Sequence, residues 1–176
     1  MPIIYSFTFK VSDGNEDSKI ETISIEVKDL NDPPVAEAQE VTTEEDTAIE
    51  FTLVGSDPED ADLTFSFLDK PSNGVVSEIT KINATSSILT YTPTTNYNGN
   101  DNFTFKVNDG EDDSAPGEVS ISIKPVNDAP AAAKQSVTTE EEVATEITLK
   151  GSDIDGDSLT FEVTDKPSNG TISGKS

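Results

Sequence analysis

The sequence predicts an all-β chain of tandem, seven-stranded Greek-key β-sandwich repeats. Three observations carry this expectation: a 96-residue repeat that runs without a gap, apolar residues that alternate with polar ones inside each repeat, and turn residues that separate the alternating stretches.

The repeat sets the domain organisation. Asn31-Asp32-Pro33-Pro34 returns as Asn127-Asp128-Ala129-Pro130, and the register then holds: Val41-Thr42-Thr43-Glu44-Glu45 returns as Val137-Thr138-Thr139-Glu140-Glu141, and Gly55-Ser56-Asp57 as Gly151-Ser152-Asp153. Asp69 to Gly74 recurs as Asp165 to Gly170, while upstream Phe7-Thr8-Phe9-Lys10-Val11 matches Phe103-Thr104-Phe105-Lys106-Val107. Residues 1–30 are therefore expected to be the last two strands of one repeat, 31–126 a complete repeat, and 127–176 the N-terminal part of a third.

Within the complete repeat the apolar period is two, the mark of strands with one buried face. The first strand is expected near residues 35–43. Ile49, Phe51 and Leu53 alternate with Glu50 and Thr52, and Leu63, Phe65 and Phe67 with Thr64 and Ser66. A short fourth strand is placed near Val75 to Ile79, and Leu89 and Tyr91 mark the fifth. Phe103, Phe105 and Val107 make the sixth; Val119, Ile121 and Ile123 against Ser120 and Ser122 make the seventh. Pro71-Ser72-Asn73-Gly74, Asn98-Gly99 and Asp109-Gly110 supply reversals at positive φ. Tyr97 has two readings: a lock of the tyrosine-corner kind before the sixth strand, or ordinary core filler.

Composition narrows the function. In 176 residues there are 11 Lys and Arg against 35 Asp and Glu, with no His and no Cys, for a formal net charge of −24. That charge repels nucleic acid and anionic lipid and leaves cations or basic surfaces as electrostatic partners. Without Cys there is no disulfide framework or thiolate metal site, and without His the commonest general base and zinc ligand are missing, so no enzymatic activity is expected. No apolar run approaches the ~20 residues of a membrane span, so no direct membrane insertion is expected. Met1-Pro2-Ile3-Ile4-Tyr5 has no secretion-signal pattern, and any export signal is expected outside this segment.

The acids gather at strand ends: Asp29-Leu30-Asn31-Asp32, Asp57-Pro58-Glu59-Asp60-Ala61-Asp62, and Asp109-Gly110-Glu111-Asp112-Asp113. In a seven-strand sandwich these three segments meet at the pole where the chain enters. Oxygen-only ligands at flexible spacing suit Ca²⁺ better than Mg²⁺. The sharpest version is Asp153-Ile154-Asp155-Gly156-Asp157, which resembles the start of an EF-hand loop but has Thr164 where that loop needs a glutamate, and is flanked by strands. The plainer reading also stands: Asp, Asn and Gly are what turns prefer, and negative charge keeps a long surface protein soluble.

The linker Asn-Asp-x-Pro at 31 and 127, Glu44-Glu45-Asp46, Gly-Ser-Asp at 55 and 151, Asn-Gly at 73 and 169, Tyr91-Thr92-Pro93, Tyr97 to Asp101 and Val-x-Asp-Gly at 11 and 107 together give the chain its family likeness. Over its whole length it resembles the cadherin-like tandem repeats of large bacterial surface adhesins, which implies an Ig-like or cadherin-like sandwich outside the cell. By that resemblance Ca²⁺ sits between consecutive repeats. It assigns Asp29, Asn31 and Asp32 to the first linker, Asp57, Glu59 and Asp109 to the repeat that follows, Asn127, Asp128, Asp153 and Asp155 to the second junction, and Glu45 to the lower end of the complete repeat. Pro125 stands where the first linker has Asp29, and the family's L-D-R-E segment is replaced by Asn98 to Asp101, so the second junction is expected to bind fewer ions or bind more weakly.

The function these features imply is a structural extender segment of a cell-surface or secreted adhesin. The alternative is a carbohydrate- or protein-binding sandwich module, which lacks support from tryptophan, absent here. Expected partners are neighbouring repeats of the same chain, with homotypic or surface-ligand contacts besides. The apolar faces of the two partial repeats leave two outcomes open: disordered ends, or docking of one molecule's tail on another's head.

Overall fold

The alternation read in the sequence decides which side chains meet across the repeat. In the computed structural model, which describes residues 3–28, 30–59 and 61–174, Phe103, Phe105 and Val107 of one strand and Val119, Ile121 and Ile123 of the next are at most 3% exposed. Glu118, Ser120, Ser122 and Lys124, which separate the latter, lie in water. Burying each such apolar side chain is worth about 1.5–3 kcal/mol, so this pattern is the main source of stability.

Thirteen strands occur and no helix is found among the described residues: β1 (Ile3–Phe9), β2 (Glu21–Val27), β3 (Val35–Ala36), β4 (Gln39–Glu44), β5 (Ile49–Ser56), β6 (Thr64–Asp69), β7 (Gly74–Val76), β8 (Thr80–Asn83), β9 (Ser86–Pro93), β10 (Gly99–Asn108), β11 (Gly117–Lys124), β12 (Ala131–Ala132) and β13 (Gly151–Ser152). Residues 31–126 form a two-sheet sandwich. One sheet has the order β4-β11-β10-β6; the other has β3-β5-β9-β7, with β8 also on β9. Leu53, Leu89 and Tyr91 from the second sheet pack on the six apolar residues of β10 and β11, with Leu63 beside them. Phe103 is the centre of an aromatic group, 5.6 Å from Phe67 in an edge-on arrangement and 6.2 Å from Phe51.

Two features differ from the seven-strand expectation. The predicted first strand is divided: β3 pairs antiparallel with β5, whereas β4 crosses to the other sheet and pairs parallel with β11. The crossing is held by Glu37 N donating to Val54 O at 3.0 Å and by Gln39 Nε2 donating to Thr52 O at 2.8 Å. Changing sheets lets one segment cover two open edges, which a single straight strand cannot do. The other addition is β8, which extends the edge beyond the short β7 and pairs with β9 through a register shift between Lys81 and Asn83.

Outside the complete repeat, a strand forms only where its partner is at hand. The β1–β2 hairpin is complete because its two strands pair with each other, Ile3 with Val27 through Phe9 with Glu21. In the third copy only β12 and β13 pair, as β3 and β5 do 96 residues earlier. The counterparts of β4 and β6 stay unpaired there, because their partners, β11 and β10, have no counterpart in residues 127–176. The 96-residue repeat is thus represented by different sets of strands in the three copies.

The turns correct one detail. Gly110 has φ of 106°, as expected, but Gly74 does not adopt positive φ. It is needed for space: a Cβ at Gly74 would lie 2.5 Å from the Tyr91 ring. Around that contact sits a buried latch. Asp101, 8% exposed, accepts from Ser72 N at 3.0 Å, Asn73 N at 2.9 Å and Tyr91 Oη at 2.8 Å. Burial first, and the Asp101 hydrogen bond second, push the Tyr91 phenol far up, so it stays a donor at any ordinary pH. Tyr97 partly buries its ring against the core and also donates from Oη to Asn100 O at 2.9 Å, so both of its expected roles coexist, the lock running to a residue downstream.

Asp101→Ala should lower the unfolding free energy by about 3 kcal/mol, because buried donors lose a charged acceptor, and Tyr91→Phe by about 1 kcal/mol. Urea unfolding of the two variants checks this, and an unchanged midpoint for Asp101→Ala would remove the latch from the account.

Candidate cation-binding junctions

The upper pole of the complete repeat is built from the linker, the loop after β5 and the β10–β11 turn. Asp109 opens that turn: its Oδ1 accepts from Glu111 N and Asp112 N, both at 2.7 Å, which holds its carboxyl below the usual range, with the Asn31 amide adding to the effect. Asn31 Nδ2 bridges Asp109 Oδ2 at 3.0 Å and Asp112 Oδ2 at 3.1 Å. One residue on, Asp32 N donates to Glu59 Oε2 at 3.2 Å. Asp57 Oδ1 accepts from Glu59 N and Ala61 N, both at 3.0 Å, while its Oδ2 is shielded from solvent and meets no hydrogen-bond donor among the described residues. A shielded carboxylate oxygen left without a partner is costly, and an approaching cation is one way to satisfy it.

The lower pole joins the third copy. Glu45, only 3% exposed, accepts from Val126 N at 2.6 Å and from Asn98 Nδ2 at 3.4 Å. Asp46, at φ of 57°, turns the chain there and accepts from Asn96 N at 3.1 Å. With its nitrogen facing the surrounding acceptors, the Asn96 amide donates to Asp46 Oδ2 at 3.0 Å and to Asp128 Oδ2 at 3.2 Å. On the far side Asp128 N donates to Asp155 Oδ2 at 2.7 Å, and Asp153 Oδ1 accepts from Asp155 N at 3.0 Å and Asp157 N at 3.1 Å. Acids from both repeats therefore surround Asp128. Its carboxyl is pushed up, by partial burial first and then by the charges of Asp155, Asp46, Glu45 and Asp153.

Of the residues singled out in the sequence, Asn31 and Asp109 meet directly, Asp32 reaches Glu59, Asp57 braces the same loop, and Asp128, Asp153 and Asp155 form one chain of contacts facing Glu45. Asn127 reaches only the Asp128 carbonyl, at 3.0 Å, and Asp29 lies outside the described residues. Asp112, from the third acidic segment read in the sequence, joins the upper site, and three further residues belong to the lower one: Asp46, Asn96 and Asn98. Asp46 and Asn98 stand inside motifs that carry the family likeness. Asn96 gave no signal, since its role depends on an αL backbone, φ of 55°, that aims it across the junction.

The donor set is carboxylate and amide oxygen throughout, which suits a hard cation. Among the described residues no three carboxylates stand close enough to make a ready-formed cage. Amide nitrogens of Asn31 and Asn96 occupy the gaps between the acids, and rotation of either amide by half a turn would present an oxygen instead.

The model of the bacterial Ig domain family matches residues 31–122 and 127–176. Integrin beta-like protein A of Dictyostelium discoideum is 33% identical over 181 residues, covering 90% of this chain, and the chain spans only 9% of that protein's length. Among solved structures, an endo-fucoidan hydrolase of glycoside hydrolase family 107 aligns at 28% identity with a TM-score of 0.46, over 70% of this chain and 19% of its own. The Yersinia pseudotuberculosis adhesin InvE aligns at 17% identity with a TM-score of 0.37, over 57% of this chain and 28% of its own. With residues 31–122 of the sandwich matched and a second match beginning at the next linker, together well over half of the sequence, this chain belongs to the bacterial Ig domain family.

Proposed function

We propose that this chain is a non-catalytic extender segment of a cell-surface or secreted adhesin, whose repeat junctions are stiffened by Ca²⁺. The observation that carries the reading is the second junction, where Glu45 and Asp46 of one repeat face Asp128, Asp153 and Asp155 of the next. Like charges held together across a linker oppose its closure, so the junction is poised to respond to a cation. Tandem repetition supports a spacer, which needs similar modules and no unique cleft. The likeness to an integrin beta-like protein supports a setting outside the cell.

When bound, Ca²⁺ supplies positive charge and a flexible shell of about six to eight oxygens. Glu45 and Asp46 would hold it from one side; Asp128, Asp153 and Asp155 would hold it from the other. At the first junction Asn31, Asp32, Asp57, Glu59 and Asp109 form the corresponding upper half. Glu45 has a second task, since its bond to Val126 N fixes where the chain leaves the sandwich. The competing carbohydrate-binding role gains nothing from the groove on the outer face of β4, β11 and β10, which is lined by Glu40, Asn100, Asn102, Glu118 and Ser122 and offers no aromatic ring for stacking.

Calorimetric titration of residues 1–176 with Ca²⁺ should give dissociation constants of about 10⁻⁴ to 10⁻³ M, the range of extracellular modules. Asp128→Asn and Asp155→Asn should each weaken the second site by more than about tenfold, whereas Glu118→Gln, away from both junctions, should leave binding unchanged. No heat at millimolar Ca²⁺, or equal binding by all three variants, would reject the reading.

The second junction also carries a pH signature. Because the Asp128 carboxyl is raised in the folded state, its ionisation weakens the junction as pH rises from the usual aspartate range through the raised value. Following the Asp128 carboxyl carbon by NMR should therefore give a midpoint above that of a free aspartate without Ca²⁺, and a midpoint below it at saturating Ca²⁺. A midpoint indifferent to the ion would take Asp128 out of the ligand set.

A further inference from the structure

Asn-x-Thr occurs at Asn83-Ala84-Thr85, at Asn102-Phe103-Thr104 and at Asn169-Gly170-Thr171. This triplet is the acceptor pattern for an N-linked sugar, and it has that use only where the asparagine nitrogen is presented at a surface and left unengaged. On that criterion the two triplets inside the complete repeat part company.

Asn83 ends β8 and Ser86 opens β9, so Ala84 and Thr85 form the tip of a tight hairpin, with Asn83 and Ala84 exposed and Thr85 half-buried. Asn83 Oδ1 accepts from Thr85 N at 2.9 Å and from Thr85 Oγ1 at 3.4 Å, whereas its Nδ2 donates to no group among the described residues. The tip is anchored through backbone carbonyls instead: Ala84 O accepts from Leu63 N at 2.8 Å, and Thr85 O accepts from Gly55 N at 3.0 Å. None of these bonds uses Nδ2, so a substituent on that nitrogen leaves all of them in place. A backbone N–H alone closes an asparagine turn, with any residue two places on. The Thr85 hydroxyl is the part that turn formation does not require. Both donors on Oδ1 draw electron density toward the oxygen, which makes the Nδ2 protons more acidic, and one of these must leave when the nitrogen takes a new bond.

Asn102 fails the same test. It lies within β10 opposite Ser120, its Nδ2 donates to Glu118 Oε1 at 2.9 Å, and Thr104 Oγ1 donates to Asp69 Oδ2 at 2.9 Å. Phe103 between them is 1% exposed, so the triplet cannot turn back on itself without withdrawing a core strand. Thr104 also has a counterpart in Thr8, where Ser6 takes the place of Asn102, so this threonine belongs to the strand pattern. The third triplet stands in the place of Asn73-Gly74-Val75, where the threonine is not kept.

We propose that Asn83 is the acceptor of an N-linked sugar, carried at the β8–β9 tip on the flank of the loop that holds Asp57 and Glu59. A transferase that reads Asn-x-Thr supplies the sugar on a phosphate leaving group. Asn83 Nδ2 attacks the anomeric carbon and the C–N bond forms; the C–O bond to phosphate breaks, its electron pair staying on the phosphate oxygen, and one Nδ2 proton passes to a base of the transferase. The product is a neutral, hydrated substituent that shields the hairpin tip while the sandwich beneath keeps every bond it had.

Folded residues 1–176 carrying Asn169→Gln, which leaves only the triplets at 83 and 102, provide the test. The chain is incubated with a soluble N-glycosyltransferase of Asn-x-Ser/Thr specificity and uridine diphosphate glucose, and its peptides are mapped by mass spectrometry. Asn83 should gain a hexose more than about ten times faster than Asn102, whose amide must first give up a hydrogen bond to a charged group. Thr85→Val, which keeps the Thr85 N bond to Asn83 and removes only the hydroxyl, should abolish the labelling, and Thr85→Ser should retain it; an unchanged circular dichroism spectrum checks that both variants stay folded. The protein recovered from the cells that make it should carry sugar on Asn83. A bare Asn83 in that material, equal labelling of Asn83 and Asn102 in the folded chain, or undiminished labelling of Thr85→Val overturns the proposal.

Discussion

Everything in this molecule depends on the pairing of β10, a central strand of the four-stranded sheet against which the second sheet packs. It exchanges hydrogen bonds with β11 on one side and β6 on the other, and its inward side chains form the centre of the core. A strand has no hydrogen-bonding satisfaction of its own, unlike a helix, so each segment is only as ordered as the neighbour it finds. The three copies of the repeat make the point within one chain. With all partners present the sandwich closes; with only β10 and β11 represented a bare hairpin forms; with only the first strands represented, little pairs beyond the counterparts of β3 and β5.

The same architecture explains where the acids gather. A Greek-key sandwich sends its linkers and its loops to the two poles, so charges that are far apart in sequence are delivered to one place. Asp109 and Asn31 meet across 78 residues, and Glu45 meets Val126 across 81. At the upper pole backbone N–H groups hold Asp109 down in pKa; at the second junction burial first, and then the neighbouring acids, push Asp128 up. The opposite directions distinguish an acid that braces a loop from one that is partly buried beside other acids.

Much of this was legible in the residues. The gap-free repeat and the two-residue period gave the strands around Leu53, Phe65, Tyr91, Phe105 and Ile121, because alternation reports burial directly. The pole-forming loops followed from the order of strands. What was hidden depends on three-dimensional detail that no local pattern encodes. The split of the first strand into β3 and β4 arises from two sheet edges competing for one segment. Gly74 was read as a turn residue, but it is there because the Tyr91 ring lies against it. At the junction Asp46 and Asn96 were missed for a related reason: both take αL backbone, and that conformation, rather than their identity, aims them at Asp128.

An extended chain of sandwiches is mechanically useful only if its junctions resist bending, and here that resistance is assigned to acids contributed by both sides of a seam. Small-angle X-ray scattering of residues 1–176, at a concentration where single molecules prevail, tests that assignment most directly. The account predicts a longer maximum dimension and a narrower distribution of shapes in Ca²⁺ than in EGTA, reversible on exchange between the two. Superimposable scattering curves under both conditions would contradict it.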